Sequence, residues 1–250
     1  MRSPHPLALT LAFLLACQSP TSDPALTFLA GTDSAAADRT PSAAEPINPG
    51  NFPGGSRNRL FPLIPGTAFY YTGEDDGVPT TGLMTVTSST KVIIGVPTIV
   101  VHDQAWNAGD LVEDTFDWYA EDRRGNVWYF GEDVTQLDHG QIIGHAGSWE
   151  AGVAGAIPGI IMPAVPQKGR TYVQELAPGV AEDQMKVVSL DATVRVPFGT
   201  LTGCLKTEEF TPLHPDLLDN KFHCPGVGLV RGVAVVGSPE IYSLTRITQP

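Results

Sequence analysis

The chain has no apolar run long enough to cross a bilayer as a helix: its longest, Leu7 to Leu15, is about half of the roughly 20 residues a span needs. No basic cluster is larger than the pair Arg123 and Arg124, and the formal net charge is -12. Nucleic-acid binding needs a basic patch, and the sequence offers none. An anionic membrane surface would repel such a chain, so any attachment to a membrane must come from elsewhere. Beyond Leu60 no stretch sustains a 3.6-residue apolar period over about twelve residues, which argues against helices. There is no His-x-x-x-His and no Cys-x-x-Cys, the spacings that most often hold zinc. Ser148 lies in Gly147-Ser148-Trp149-Glu150, which is not the Gly-x-Ser-x-Gly of a nucleophile elbow. Gly226-Val227-Gly228 is too short for a dinucleotide fingerprint and lacks the βαβ unit that fingerprint requires.

What the N-terminus does carry is an export signal. Arg2 precedes the apolar run, and a small residue precedes Cys17, the arrangement of a signal peptide over residues 1–16. Leu14-Leu15-Ala16-Cys17 resembles the lipobox of bacterial lipoproteins, in which the cysteine sulfur is acylated. That resemblance implies lipidation at Cys17 by palmitate-type fatty acyl chains, and anchoring to the cell envelope. One chain holds a protein only marginally, and two or three make release negligible. Gln18 is not the aspartate that retains many lipoproteins in the inner membrane, so the outer membrane is expected where the cell has two.

Residues 17–58 are dominated by Ala, Ser, Thr, Pro, Asp and Gly and cannot bury enough apolar surface to offset the entropy of ordering. They read as a disordered tether with an r.m.s. reach of roughly 35 Å. Residues 59–250 are then a single domain. With Cys17 acylated, Cys204 and Cys224 remain as a possible disulfide, two buried free thiols being the alternative.

Within 59–250, strand-like runs recur at short spacing between turn residues. They include Thr67–Gly73, Gly82–Thr87, Lys91–His102, Leu111–Ala120 and Val127–Glu132. The C-terminal half repeats the style. Gly95 and Pro97 suggest a bend or bulge within the longest run, and Asp122–Asn126 reads as a tight hairpin turn in which Gly125 takes positive φ. Pro158–Pro166 carries three prolines and one glycine and breaks the series as an apolar segment. The expectation is an all-β domain: one antiparallel, strongly curved sheet or barrel of about twelve short strands.

Phe61-Pro62-Leu63-Ile64-Pro65-Gly66-Thr67, followed by the run from Asp117-Trp118-Tyr119-Ala120 through Gly125-Asn126-Val127-Trp128-Tyr129-Phe130-Gly131-Glu132, resembles a family of bacterial lipoproteins of unassigned activity. Gly147–Gly152, Pro158–Pro163 and Pro225–Val230 look like the same family. The resemblance implies an envelope lipoprotein and a curved sheet of the lipoprotein-carrier or lipocalin-like kind; it implies no reaction.

Chemistry-bearing residues concentrate between His102 and Glu150, where all four tryptophans also fall. If Glu121 lies opposite Trp128, then Asp117 faces Glu132, although a one-residue slip would turn both to the other face. Such a pair can lie inert on the solvent face, hold a divalent cation through oxygen, or act as acid and base. Asp117, Glu132 and His145 are the catalytic candidates, for a hydrolase or isomerase. Asp117, Glu132, His139 and His145 are the metal candidates. Trp118, Tyr119, Trp128, Tyr129, Phe130, Trp149 and Met162 could line an apolar ligand site, or simply fill a core. Three readings stand: an anchored protein binding an apolar or amphipathic small molecule or a partner, an acid-pair enzyme, and a structural lipoprotein with no ligand.

Overall fold

The computed structural model describes residues 47–250. The signal peptide, Cys17 and the tether as far as residue 46 lie outside them. The strands are β1 Ala68–Asp75, β2 Val78–Ile93, β3 Val96–Asn107, β4 Asp110–Glu121, β5 Val127–Asp138, β6 Gln141–Gly144, β7 Trp149–Glu150, β8 Ile157–Met162, β9 Thr171–Val173, β10 Glu175–Leu176, β11 Gln184–Val196, β12 Gly199–Thr211, β13 His214–Cys224, β14 Gly228–Val236 and β15 Glu240–Thr248. Among the described residues the only helical element is one 3-10 turn, Pro49–Asn51. No described helix is long and apolar enough to cross a membrane. The domain is all-β and antiparallel, as expected.

The strands form one sheet in the order β10-β8-β5-β4-β3-β2-β1-β15-β14-β13-β12-β11-β9, with β6 and β7 also paired to β5. Most neighbours are consecutive in sequence, because two-residue hairpin turns repeat along the chain. Ile94 and Gly95 both take positive φ between β2 and β3. The run Lys91–His102 is therefore two strands and a turn, not one bent strand. Several strands are long rather than short, up to sixteen residues in β2, and fifteen replace the expected twelve.

The ladder does not close into a barrel. Its two ends are covered by one stretch of chain: Thr171–Val173 pairs with β11, and Glu175–Leu176 pairs with β8. Between them the Gln174 backbone N–H donates to the Asp183 carbonyl, extending the β9–β11 register by one position. The covered edges leave little template for pairing with another chain. Segment Pro158–Pro166, expected to break the series, supplies β8 itself, with Gly159, Ile160, Ile161 and Met162 buried. Gly159 is required there: a Cβ would overlap the Gln174 carbonyl.

Residues from both halves of the sheet form one core. The stretch 47–58, read above as the end of the tether, lies against the domain. Phe52 meets the rings of Trp128 and Phe130 edge-on, and Asn58 is buried. Gly- and Pro-rich composition hid a single aromatic anchor. Cys204 and Cys224, on adjacent strands, are joined by a disulfide; for a loop of this length the chain-entropy model gives about 3 kcal/mol.

The β4–β5 pairing shifts between Asp117 and Tyr119, where β5 carries one extra residue. Gly131 sits in this bulge at φ 132°, and a Cβ there would overlap the Trp149 carbonyl. Gly131→Ala should therefore cost roughly 3 kcal/mol from forbidden backbone and overpacking together. Chemical denaturation of the full chain measures it; a loss under about 0.5 kcal/mol, the scale of an ordinary surface change, would contradict this account of the bulge.

Candidate functional site

The bulge sets the geometry of the acidic pair. At the hairpin end Glu121 faces Val127 and Tyr119 faces Tyr129; past the extra residue Asp117 faces Glu132. The pairing expected from sequence is thus correct at Asp117 and Glu132 and one residue out at Glu121. Both carboxyls point inward and are sealed, each 1% exposed. The Tyr129 hydroxyl donates to Asp117 at 2.5 Å. No hydrogen bond of normal geometry reaches either oxygen of Glu132 or Glu175.

These two residues belong to a belt. Asp103 on β3, Glu113 on β4, Glu175 on β10, Asp183 ahead of β11 and Glu209 on β12 are also buried. Among the described residues one buried lysine answers them, Lys221, with its Nζ 2.8 Å from Glu209. Burial in low dielectric disfavours the charged form of a carboxyl. It pushes Glu113 and Glu240 up to about 8, and Asp117 and Asp183 up to about 7. Glu132 and Glu175 are raised well above the carboxylate range, by burial first and then by neighbouring carboxylates. Asp103 is raised by burial and then by Asp117 and Glu113. His223 is pulled down to about 4 by burial.

The other candidates are elsewhere. Tyr119, Tyr129, Phe130, Met162, Trp118 and Trp149 are buried in the core. Tyr119 and Tyr129 stack with centroids 4.6 Å apart, Phe61 meets Tyr119, and Trp149 meets Tyr129. Trp128 is half-buried, its indole N–H held by Asp122 at 3.0 Å. His145 is exposed, its Nδ1 donating to the Val134 carbonyl at 2.7 Å. His139 is exposed on a hairpin tip, 3.2 Å from Asp110. Among the described residues no three His, Cys, Asp or Glu side chains are grouped as a metal site requires. The structure thus unites Asp117 with Glu132 and brings neither histidine to them.

A cleft of about 640 Å³ opens to solvent at the tip of the β4–β5 hairpin. Arg57, Arg59, Arg123 and Arg124 line it, with apolar surface from Leu60 and Leu190 and with buried Leu205 at its border. No carboxylate is in its lining. Buried Glu121, outside the lining, holds the N-terminal side of the cleft in place. Its carboxylate accepts the backbone N–H of Arg57 at 2.5 Å and of Asn58 at 2.8 Å, and the Arg57 Nε at 3.0 Å. The Asn58 amide donates to the carbonyls of Gly125 and Pro163, at 2.9 and 3.3 Å. Hairpin tip, N-terminal segment and the chain after β8 are fastened together at this point. Sequence reading missed the cleft because its arginines come from two separated stretches. Only the adjacent pair Arg123 and Arg124 gave a signal.

No family model matches the chain, and no curated protein matches it. Among solved structures, a Parabacteroides distasonis protein provisionally named a lipoprotein aligns over 76% of this chain and 99% of its own, at 13% identity and TM-score 0.43. A provisionally named exported protein with a YmcC-like fold, from Bacteroides fragilis, aligns over 77% of this chain and 100% of its own, at 14% identity and TM-score 0.41.

The buried carboxyls bind more protons in the folded chain than in the unfolded one, so they favour folding at low pH and lose that contribution as pH rises through 7 to 8. His223 acts the other way, losing its contribution as pH falls from 6.5 towards 4. Stability should be greatest near pH 4 and decline from there to about pH 8 by up to about 1.4 kcal/mol per pH unit for each shifted carboxyl, with His223 offsetting one carboxyl between pH 4 and 6.5. Glu132→Gln should stabilise the chain at pH 8 by about 1–3 kcal/mol more than it does at pH 5. Denaturation at the two pH values measures both, and a flat profile from pH 5 to 9 would contradict the protonated interior.

Proposed function

We propose that the chain is a lipid-anchored protein of the cell envelope, tethered through Cys17, and that its β domain is a binding module for an amphipathic small molecule. The binding site is the cleft at the β4–β5 hairpin tip. The observation that carries this reading is the contrast between two places: the acidic pair is sealed in the core, whereas the cleft is open and has an apolar floor. Its volume falls in the range of ligand sites, roughly 300–1,000 Å³. The aromatic rings of the hairpin act indirectly. They fill the core behind the tip and hold it rigid, with Phe52 closing over Trp128 and Phe130. Acid-pair catalysis has less support, since neither Asp117 nor Glu132 lines the cleft.

Two measurements test this. Cys17→Ser should move the protein out of the membrane fraction of its own host, and the mass of the N-terminal peptide should lose its acyl chains. Native mass spectrometry of the full chain from that host should show one small molecule bound. Ala164→Trp, which fills the cleft from a half-buried position in its wall, should reduce that occupancy by about tenfold or more with little change in unfolding temperature. Membrane retention of Cys17→Ser would overturn the anchor, and occupancy unaffected by Ala164→Trp would overturn the cleft.

A further inference from the structure

We infer that the molecule this cleft takes is an amphipathic anion, a phosphate or carboxylate head on an apolar body, with the head held by the arginines and the body on the leucine floor. The inference rests on the cleft being the binding site, as proposed above.

The first argument is charge placement. The described residues hold thirteen Lys and Arg in a strongly acidic protein, and four of these, all arginine, line one cleft. Cations scattered for solubility alternate with acids; here the lining has no acid. Among the described residues Arg57 pairs with a carboxylate, Glu121, and Arg59, Arg123 and Arg124 pair with none. The other nearby acid, Asp122, is turned away. Its carboxylate accepts from the Arg124 and Asn126 backbone N–H groups, the Asn126 amide and the Trp128 indole. Like charges gathered in one cleft repel, and an anion bound among them relieves the repulsion.

The second argument is preorganisation. The cleft arginines are fixed at their backbones. The Arg59 carbonyl accepts from Gly226 N–H at 2.7 Å, the Arg123 N–H donates to Asn51 at 2.8 Å, and Arg57 and Arg124 are held by Glu121 and Asp122. Their side chains are not used up. A guanidinium has five N–H donors. Arg57 directs its Nη2 at the Asp122 and Arg123 carbonyls in addition to its bond to Glu121, and Arg123 directs its Nε at the Gly50 carbonyl. Donors remain on both, and the Arg59 and Arg124 guanidinium groups make no hydrogen bond within the described residues. Planar forks of this kind match phosphate and carboxylate oxygens two at a time.

The third argument separates an amphipathic anion from a bare one. Leu60 and Leu190 line the cleft together with the arginines, and Leu190 is substantially exposed there, while Leu205 borders the cleft from the core. A free inorganic ion would leave that surface in water; an acyl or prenyl body would cover it.

The test uses the full chain in neutral detergent with three probes: dodecyl phosphate, inorganic phosphate and dodecyl glucoside. Native mass spectrometry should retain one dodecyl phosphate per chain, with affinity falling as salt is raised. The double variant Arg59→Gln with Arg124→Gln should weaken that binding by about tenfold or more. Its unfolding temperature should not fall, because neither guanidinium has a partner to lose and the repulsion among the cleft arginines is eased. Equal retention of dodecyl glucoside, unaffected by the arginine changes, would overturn the anion and leave the binding module standing. Equal retention of inorganic phosphate would overturn the apolar body. Retention of no probe would overturn the anion together with the cleft as a site.

Discussion

The arrangement at the cleft end of the domain depends on one buried carboxylate. Glu121 sits at the end of β4, with two backbone N–H groups and a guanidinium donating to it. A buried charge left unpaired costs several kcal/mol, so the chain that enters the domain has to bring donors to that spot. It brings Arg57 and Asn58. Once they are in place, Asn58 joins the hairpin turn to the chain leaving β8, and Phe52 reaches the outer face of β5. Three stretches of sequence that share no local pattern are thereby fastened together around one cleft. The same contact explains why the ordered domain starts before Leu60 despite its Gly- and Pro-rich lead-in.

The interior poses an opposite problem. A belt of carboxyls lies inside the sheet with one buried lysine among them. Ionising all of them would be prohibitive in low dielectric, and the resolution is protonation rather than pairing. Burial raises Glu113 and Glu240 to about 8, and raises Asp103, Glu132 and Glu175 well above the ordinary carboxylate value. The formal charge of -12 therefore overstates the field that the folded domain presents at neutral pH. An anion approaching the arginine cleft meets a less repulsive molecule than the composition suggests. The tyrosines around the belt serve the same end, since a hydroxyl such as that of Tyr129 satisfies an acidic oxygen without adding charge.

How much of this was legible varied with how local the determining interaction was. The Asp122–Asn126 turn could be read directly, because a positive φ at Gly125 is a one-residue property. The Cys204–Cys224 bond followed from having two cysteines left to pair. The facing of Asp117 and Glu132 was reached with an offset at the hairpin end, because alternation fixes parity but not the position of an extra residue. Burial of the acids was not legible. On β4 the inward set is Glu113, Thr115 and Asp117, whereas outward Phe116 is 40% exposed, inverting the usual pattern. On β12 both faces carry polar residues, Thr207 and Glu209 inward beside Lys206 and Glu208, so no periodicity marks the core face. Glu175, Asp183 and Lys221 were passed over for the same reason. The cleft was illegible because long-range contacts create it.

The bulge at Gly131 connects the two ends. A β-strand repeats every two residues, so a single added residue exchanges the faces of everything beyond it. On β5 the residues before the bulge place Val127 and Tyr129 inward, and send Trp128 and Phe130 out to meet Phe52. Past it Glu132 and Val134 turn inward instead of Gly131 and Asp133, and Asp133 is left in solvent. Without the extra residue, either the acidic pair would lose its facing or the tip would lose the aromatic surface on which residues 47–58 are seated. A hairpin with strict alternation could build the protonated interior or the cleft, but not both. The glycine that tolerates φ 132° lets one strand do each in turn.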